Sequence, residues 1–149
     1  MFAWSLASSD RAHQWLYAAR TKRLLSDLEG AADLTVGSAD LTVLEVGAGA
    51  GPNAAHLPPG TRWIAVEPNV HFHPRLEAAA ARQGLDLEAV AATAEALPLE
   101  DGAADVVIST LVLCSVDDVA RSLAEVRRVL RPGGRFVFIE HVVGPPGSM

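Results

Sequence analysis

Three glycines at alternate positions, Gly47, Gly49 and Gly51, close an apolar run, and a carboxylate, Glu45, stands two residues before the first of them. Glycine lets the backbone turn with positive φ and, lacking Cβ, lets a ligand lie directly on the main chain. A second carboxylate, Glu67, follows about twenty residues later at the end of another apolar run, where it can accept hydrogen bonds from both hydroxyls of a ribose. These residues describe a nucleoside pocket. The spacing G-x-G-x-G departs from the dinucleotide fingerprint G-x-G-x-x-G, whose third glycine is replaced here by Pro52. A carboxylate at Glu45 would repel a pyrophosphate but suits an ammonium or sulfonium group. The chemistry indicated is therefore recognition of S-adenosylmethionine, with a nicotinamide-dependent oxidoreductase as the disfavoured alternative.

Such groups need strand ends to position them. L-T-V-L-E-V (residues 41–46) and W-I-A-V (63–66) read as strands buried on both faces of a parallel sheet. Residues 52–56 read as the first turns of a short helix whose free N–H groups face the crevice. Asn69 can cap a helix that runs to Gln83 and stops at Gly84, and 85–90 alternate as an edge strand with one wet face. Residues 105–110 form a fourth buried strand. Ser115 and Asp118 make a capping-box pattern before a helix with Val119, Leu123, Val126 and Leu130 on one face and Arg121, Glu125 and Arg128 outside. R-P-G-G ends that helix, and 135–141 form a fifth strand. Ser8 or Ser9 can cap a leading helix over 10–29, closed by Gly30. The predicted fold class is α/β, a three-layer Rossmann-like sheet of five parallel strands with helices on both faces.

With 149 residues the chain makes one domain, divided into a leading helix (1–30), a cofactor-binding core (41–141) and a tail (142–149). Half of the residues are hydrophobic and a fifth charged, as in an ordinary globular domain. A net charge of −6 argues against a nucleic-acid groove, because phosphate neutralisation needs clustered Lys and Arg. The one basic cluster, Arg20 to Arg23, reads as a solvated helix face. The single Cys114 cannot form an internal disulfide and lies in an apolar run, which predicts a buried structural thiol. No metal-ligand spacing occurs among the five histidines, and no stretch reaches the length that crosses a bilayer. The N-terminus lacks the features of a signal peptide, so the expected location is cytoplasmic.

E-V-G-A-G-A-G followed by V-E-P-N resembles motifs I and II of the class I S-adenosylmethionine-dependent methyltransferases. D-V-V-I-S-T-L-V-L-C-S-V and L-A-E-V-R-R-V-L-R-P-G-G-R-F-V-F-I-E-H resemble the quinone-type branch of that superfamily, nearest to the methyltransferase-like 7 group of thiol and small-molecule methyltransferases. The resemblance implies a methyltransferase that turns S-adenosylmethionine into S-adenosylhomocysteine. Its cofactor contacts would be Glu45, Gly47, Gly49, Gly51, Glu67 and Pro68, with Thr93, Ala94 and Glu95 beside the adenine and Thr110 and Leu111 at the fourth strand's end. Thr93 stands where the family pattern places an aspartate. Leu97 and Pro98 would line the adenine ring, and the leading helix would bring Trp15 or Tyr17 near the pocket. The N/D-P-P-Y/F clamp of enzymes acting on planar amino groups is absent, which favours a small apolar acceptor beside Leu111, Val112 and Leu113. His141, at a strand's carboxyl end, is the candidate general base.

The usual C-terminal antiparallel hairpin is not found after residue 141. That leaves the fifth strand as an open edge, for which the expectations are pairing with a partner, pairing with a second copy as a homodimer, or a sequence that is a fragment. A non-catalytic or truncated cofactor-binding homologue is the alternative reading.

Overall fold

Apolar runs separated by helix-forming stretches assemble into one parallel sheet in the computed structural model, which describes Arg23 and residues 41–140. The expected leading helix, the connector into the first strand, His141 and the tail lie outside the described residues. The strands are β1 (Thr42–Val46), β2 (Arg62–Val66), β3 (Asp86–Val90), β4 (Ala104–Thr110) and β5 (Leu130–Ile139). All neighbours are parallel, in the order β3-β2-β1-β4-β5. Succession runs outward one way from β1 to β3 and the other way from β4 to β5, so the ends of β1 and β4 flank the point where an open sheet receives a ligand.

Both faces of the central strands are covered, which is why their sequences run apolar instead of alternating. Val43, Leu57, Trp63, Leu76 and Ile108 pack on one side, and Leu44, Ile64, Val66, Val107 and Val126 on the other. Helix α1 (His73–Gln83) ends at Gly84 with φ 68° and is preceded by a 3₁₀ turn, Val70–Phe72, that the Asn69 side chain caps by accepting from the His71 amide at 3.1 Å.

Helix α2 (Val119–Val129) departs from expectation at both ends. Its cap is Asp118, which accepts from the Arg121 amide at 3.0 Å, whereas the Ser115 hydroxyl donates to the Val112 carbonyl in the preceding turn. The buried stripe is Ser122, Val126 and Val129; Val119 and Leu123 are exposed, and Leu130 already belongs to β5. Glu125 and Arg128 explain the rotation, because the loop over residues 97–101 holds them and the helix cannot turn that flank to solvent.

R-P-G-G does not precede β5 but interrupts it. Ala104 pairs with Leu130 and Val106 with Arg135, so four residues bulge opposite Asp105. Asp105 joins three neighbouring strands there: one carboxylate oxygen pairs with Arg131 of β5 and the other accepts from the Thr42 amide of β1 at 2.7 Å. Among the described strands β3 and β5 are the two outer ones; β5 carries Phe138, 56% exposed and stacked on Phe136, and it is on this edge that the homodimer expectation rests. No helix among the described residues is long and apolar enough to cross a membrane. Cys114 is exposed, contrary to expectation, because the chain leaves the sheet at Thr110 and turns outward, where its thiol donates to the Leu111 carbonyl at 3.6 Å.

Candidate functional site

The carboxyl ends of β1, β2 and β4, with the loops after β3 and β4, enclose a cleft of about 310 Å³, a volume at the lower end of small-molecule sites. Eight of the residues expected at a cofactor line it together: Gly47, Glu67, Pro68, Thr93, Ala94, Glu95, Thr110 and Leu111.

Glu67 is 8% exposed and held from both sides. One of its carboxylate oxygens accepts from the Gly49 amide and the other from the Asn69 amide, each at 2.9 Å. A carboxylate oxygen has two lone-pair sites, so each retains one for a ligand hydroxyl. Gly47, at φ 63°, lies against Val112: a Cβ there would come within 2.5 Å of Val112 Cγ2. The other two glycines serve differently. Gly49 supplies the amide that fixes Glu67, while Gly51 gives room to the core, since a Cβ on it would sit 3.0 Å from the Trp63 ring and 3.1 Å from Leu76. The following segment, Pro52–His56, is a 3₁₀ turn that buries Asn53 and Ala54.

Glu45 does not face the cleft. Side chains alternate along a strand, and Glu45 shares the face of Val43, opposite Val46. There, 2% exposed, its carboxylate accepts from Asn53 Nδ2 at 2.8 Å and from Trp63 Nε1 at 3.0 Å. Burial raises its pKa from 4.5 to about 7, against the lowering by those two donors. The negative charge expected to attract a cationic ligand comes instead from Glu67, Glu95 and Asp117 on the cleft wall, to which no Lys or Arg among the described residues contributes.

In the loop after β3, Thr93 and Ala94 line the cleft, while Glu95 is also a tie between loops, accepting from the Asp117 amide at 2.8 Å. Its own backbone amide, then the Thr93 hydroxyl and the Asp117 amide, hold its carboxyl below the ordinary range. Leu97 packs into the core instead of lining the cleft, and Leu113 likewise stands off the wall on which Leu111 and Val112 lie.

Two residues to which sequence reasoning gave no such part brace the surroundings of the cleft, Arg128 the loop after β3 and Glu140 the turn after β4. Arg128 donates to the carbonyls of Leu97 at 2.9 Å and Leu99 at 2.6 Å, and pairs with Glu125, which also accepts from the Leu97 amide at 2.9 Å. Glu140 accepts from the Ser109 hydroxyl at 2.6 Å and from the Val112 and Leu113 amides, each at 3.1 Å. These bonds, with the Leu111 amide donating to the Ile139 carbonyl at 2.8 Å, hold Leu111 at φ 58°, the one positive φ of a non-glycine among the described residues. That conformation costs about 1–2 kcal/mol.

The Glu125–Arg128 pair carries a signature in acid. Hydrogen bonding from Arg128 lowers the Glu125 pKa from 4.5 to about 2. A depressed folded pKa gives stability that is present above the unfolded pKa and lost as pH falls through the folded one. Wild type is expected to lose this contribution between about pH 4.5 and pH 2, and Glu125→Gln to lack that part of the slope, read from urea unfolding at stepped pH.

Over residues 44–138 the sequence matches a family described as the Methyltransferase domain. A thiol S-methyltransferase of Homo sapiens is 43% identical over 132 residues, which make up 87% of this chain and 53% of that protein. Among solved structures, the YcgJ protein of Bacillus subtilis aligns over 80% of this chain and 50% of its own, at TM-score 0.65 and 28% identity. An S-adenosylmethionine-dependent methyltransferase of Mesorhizobium loti aligns over 66% of this chain and 45% of its own, at TM-score 0.54 and 30% identity. The chain spans about half the length of the curated relatives it matches.

Proposed function

This chain belongs to the methyltransferase domain family, and from that premise we propose that it binds S-adenosylmethionine in the cleft and transfers its methyl group to a small apolar molecule. Glu67 carries the reading. A carboxylate at the end of β2, immobilised by two backbone amides and left with one acceptor site on each oxygen, has the form of a ribose-diol anchor. Gly47 supports the same assignment, because its missing side chain keeps the cleft floor open between β1 and Val112. The acidic wall suits a sulfonium cation.

On this reading Thr93 and Ala94 hold the adenine, Glu67 the ribose, and Gly47 and Thr110 the methionyl part. Bound there, the cofactor supplies an electrophilic methyl group on positively charged sulfur. The chain's own contribution is positioning and the exclusion of water. Leu111 and Val112 offer an apolar wall to the acceptor, for which a thiol is the class we favour, in keeping with the human relative. A thiol loses its proton on methylation, and His141, next in sequence after Glu140, is the base we assign to that step.

Calorimetric titration with S-adenosylmethionine and S-adenosylhomocysteine tests the cofactor. Wild type should bind both at micromolar concentrations, and Glu67→Ala should weaken each by about tenfold or more, the loss of roughly 1.4 kcal/mol for a charge-assisted hydrogen bond. Wild type that binds neither ligand overturns the proposal.

A further inference from the structure

Asn53 lies behind the glycine loop, 4% exposed and off the cleft wall. Its side-chain nitrogen donates to two oxygens, Glu45 Oε1 at 2.8 Å and Thr110 Oγ1 at 3.0 Å. Once ionised, above about pH 7, Glu45 offers acceptors only, so the NH₂ end of the amide faces it; Trp63 Nε1, a donor only, occupies the other oxygen. The polarity of the chain is thereby fixed. Thr110 Oγ1 receives a proton from Asn53, and its own single O–H has to point elsewhere.

Among the described residues no protein group accepts that proton, and Thr110 forms part of the cleft wall. The other hydroxyls on the wall are already committed, Ser115 to the Val112 carbonyl and Thr93 to Glu95. We propose that Asn53 is a positioning residue that makes the Thr110 hydroxyl a hydrogen-bond donor to the cleft's occupant, its acceptor being the α-carboxylate of the methionyl tail; this rests on the cofactor reading above.

The sheet order supports that placement. Adjacent strands lie about 4.8 Å apart, so the end of β4 is roughly 14 Å along the cleft from the end of β3. A nucleoside anchored by Thr93 and Glu67 fills the β3–β2 half, and its amino-acid tail reaches the β1–β4 half. A hydroxyl oriented in advance by a buried chain of hydrogen bonds loses little freedom when it meets that tail.

The test compares S-adenosylhomocysteine with 5′-methylthioadenosine, which keeps the nucleoside and sulfur but has no amino-acid tail. Thr110→Val should weaken S-adenosylhomocysteine about tenfold and leave 5′-methylthioadenosine within about twofold, while Thr110→Ser retains both affinities. Asn53→Ala should also weaken only S-adenosylhomocysteine, and should add nothing in a Thr110→Val background, as expected of a residue acting through that hydroxyl. Equal losses for the two ligands, no loss in Thr110→Val, or additive losses in the double variant would each overturn the proposal. Should Asn53→Ala fail to fold, the Thr110→Val and Thr110→Ser pair still decides. Wild type that binds neither ligand sinks the cofactor reading itself, whereas wild type that binds both, with Thr110→Val unaffected, removes only the donor.

Discussion

Gly47→Ala is expected to abolish measurable cofactor binding and to lower stability by about 2–4 kcal/mol. Two costs combine. Alanine at φ 63° is strained by about 1 kcal/mol, and its Cβ would sit 2.5 Å from Val112 Cγ2. Relieving that overlap moves Val112, at about 1–3 kcal/mol for an overpacked site. Because Val112 is itself cleft wall and its amide is held by Glu140, the displacement is directed at the ligand. Melting should fall by roughly 5–15 °C, and titration with S-adenosylhomocysteine should show at least a roughly hundredfold loss. Gly49→Ala is the control for backbone strain alone: nothing lies within 4 Å of where its Cβ would sit, so about 1 kcal/mol is expected. Equal effects at the two positions would mean that strain, not the approach of Val112, decides.

Glu45→Leu is expected to destabilise the fold by about 3–5 kcal/mol. It removes the acceptor for Trp63 Nε1, on a side chain with no exposure, and one of two acceptors for Asn53; each buried donor left unpaired costs about 1–3 kcal/mol. Wild type should also show a pH slope of definite sign. Because burial raises the Glu45 pKa to about 7, the folded protein holds this proton more tightly than the unfolded chain, whose value is near 4.5. The contribution is complete below the unfolded value and is lost as pH rises through about 7, opposite in direction to that of Glu125. Glu45→Gln should flatten this limb, and urea midpoints between pH 4 and pH 8 read the difference. A slope unchanged in Glu45→Gln would place the titration elsewhere.

What the sequence disclosed follows from how locally each feature is encoded. The strands, the left-handed glycine turn, the Asn69 cap and the Gly84 stop depend on residues within a few positions of one another, and the structure has each of them. The place of Glu67 on the cleft wall was legible because it directly follows a second apolar strand, whose carboxyl end opens on the crevice. Glu45 was misread toward the ligand because a strand buried on both faces hides its alternation; only the parity with Val43 and Val46 shows the carboxylate pointing away. Arg128 was read as an outer helix residue, and its partners are carbonyls 29 and 31 residues distant, which no helical pattern signals. Glu140 stood in the quoted strand ending, yet its partners lie in a turn near Leu111 whose strained geometry leaves no sequence mark.

The sheet order also imposes a timetable on synthesis. β1 is central in space but first in the chain among the five described strands, and it pairs with β2 at once while its other edge waits for β4. The Thr42 amide and the Asp105 carboxylate it bonds are 63 residues apart. From the end of β2 the wait is about forty residues, roughly 2–8 s at ordinary translation speeds. For that interval a nascent half-sheet, of two strands until β3 is made and of three thereafter, exposes an apolar edge of unpaired amides and carbonyls, open to chaperones or to the same edge of another nascent chain. The cleft shares the delay, since its β1 and β4 walls meet only when that edge closes, and no ligand spanning both can assist the chain before then.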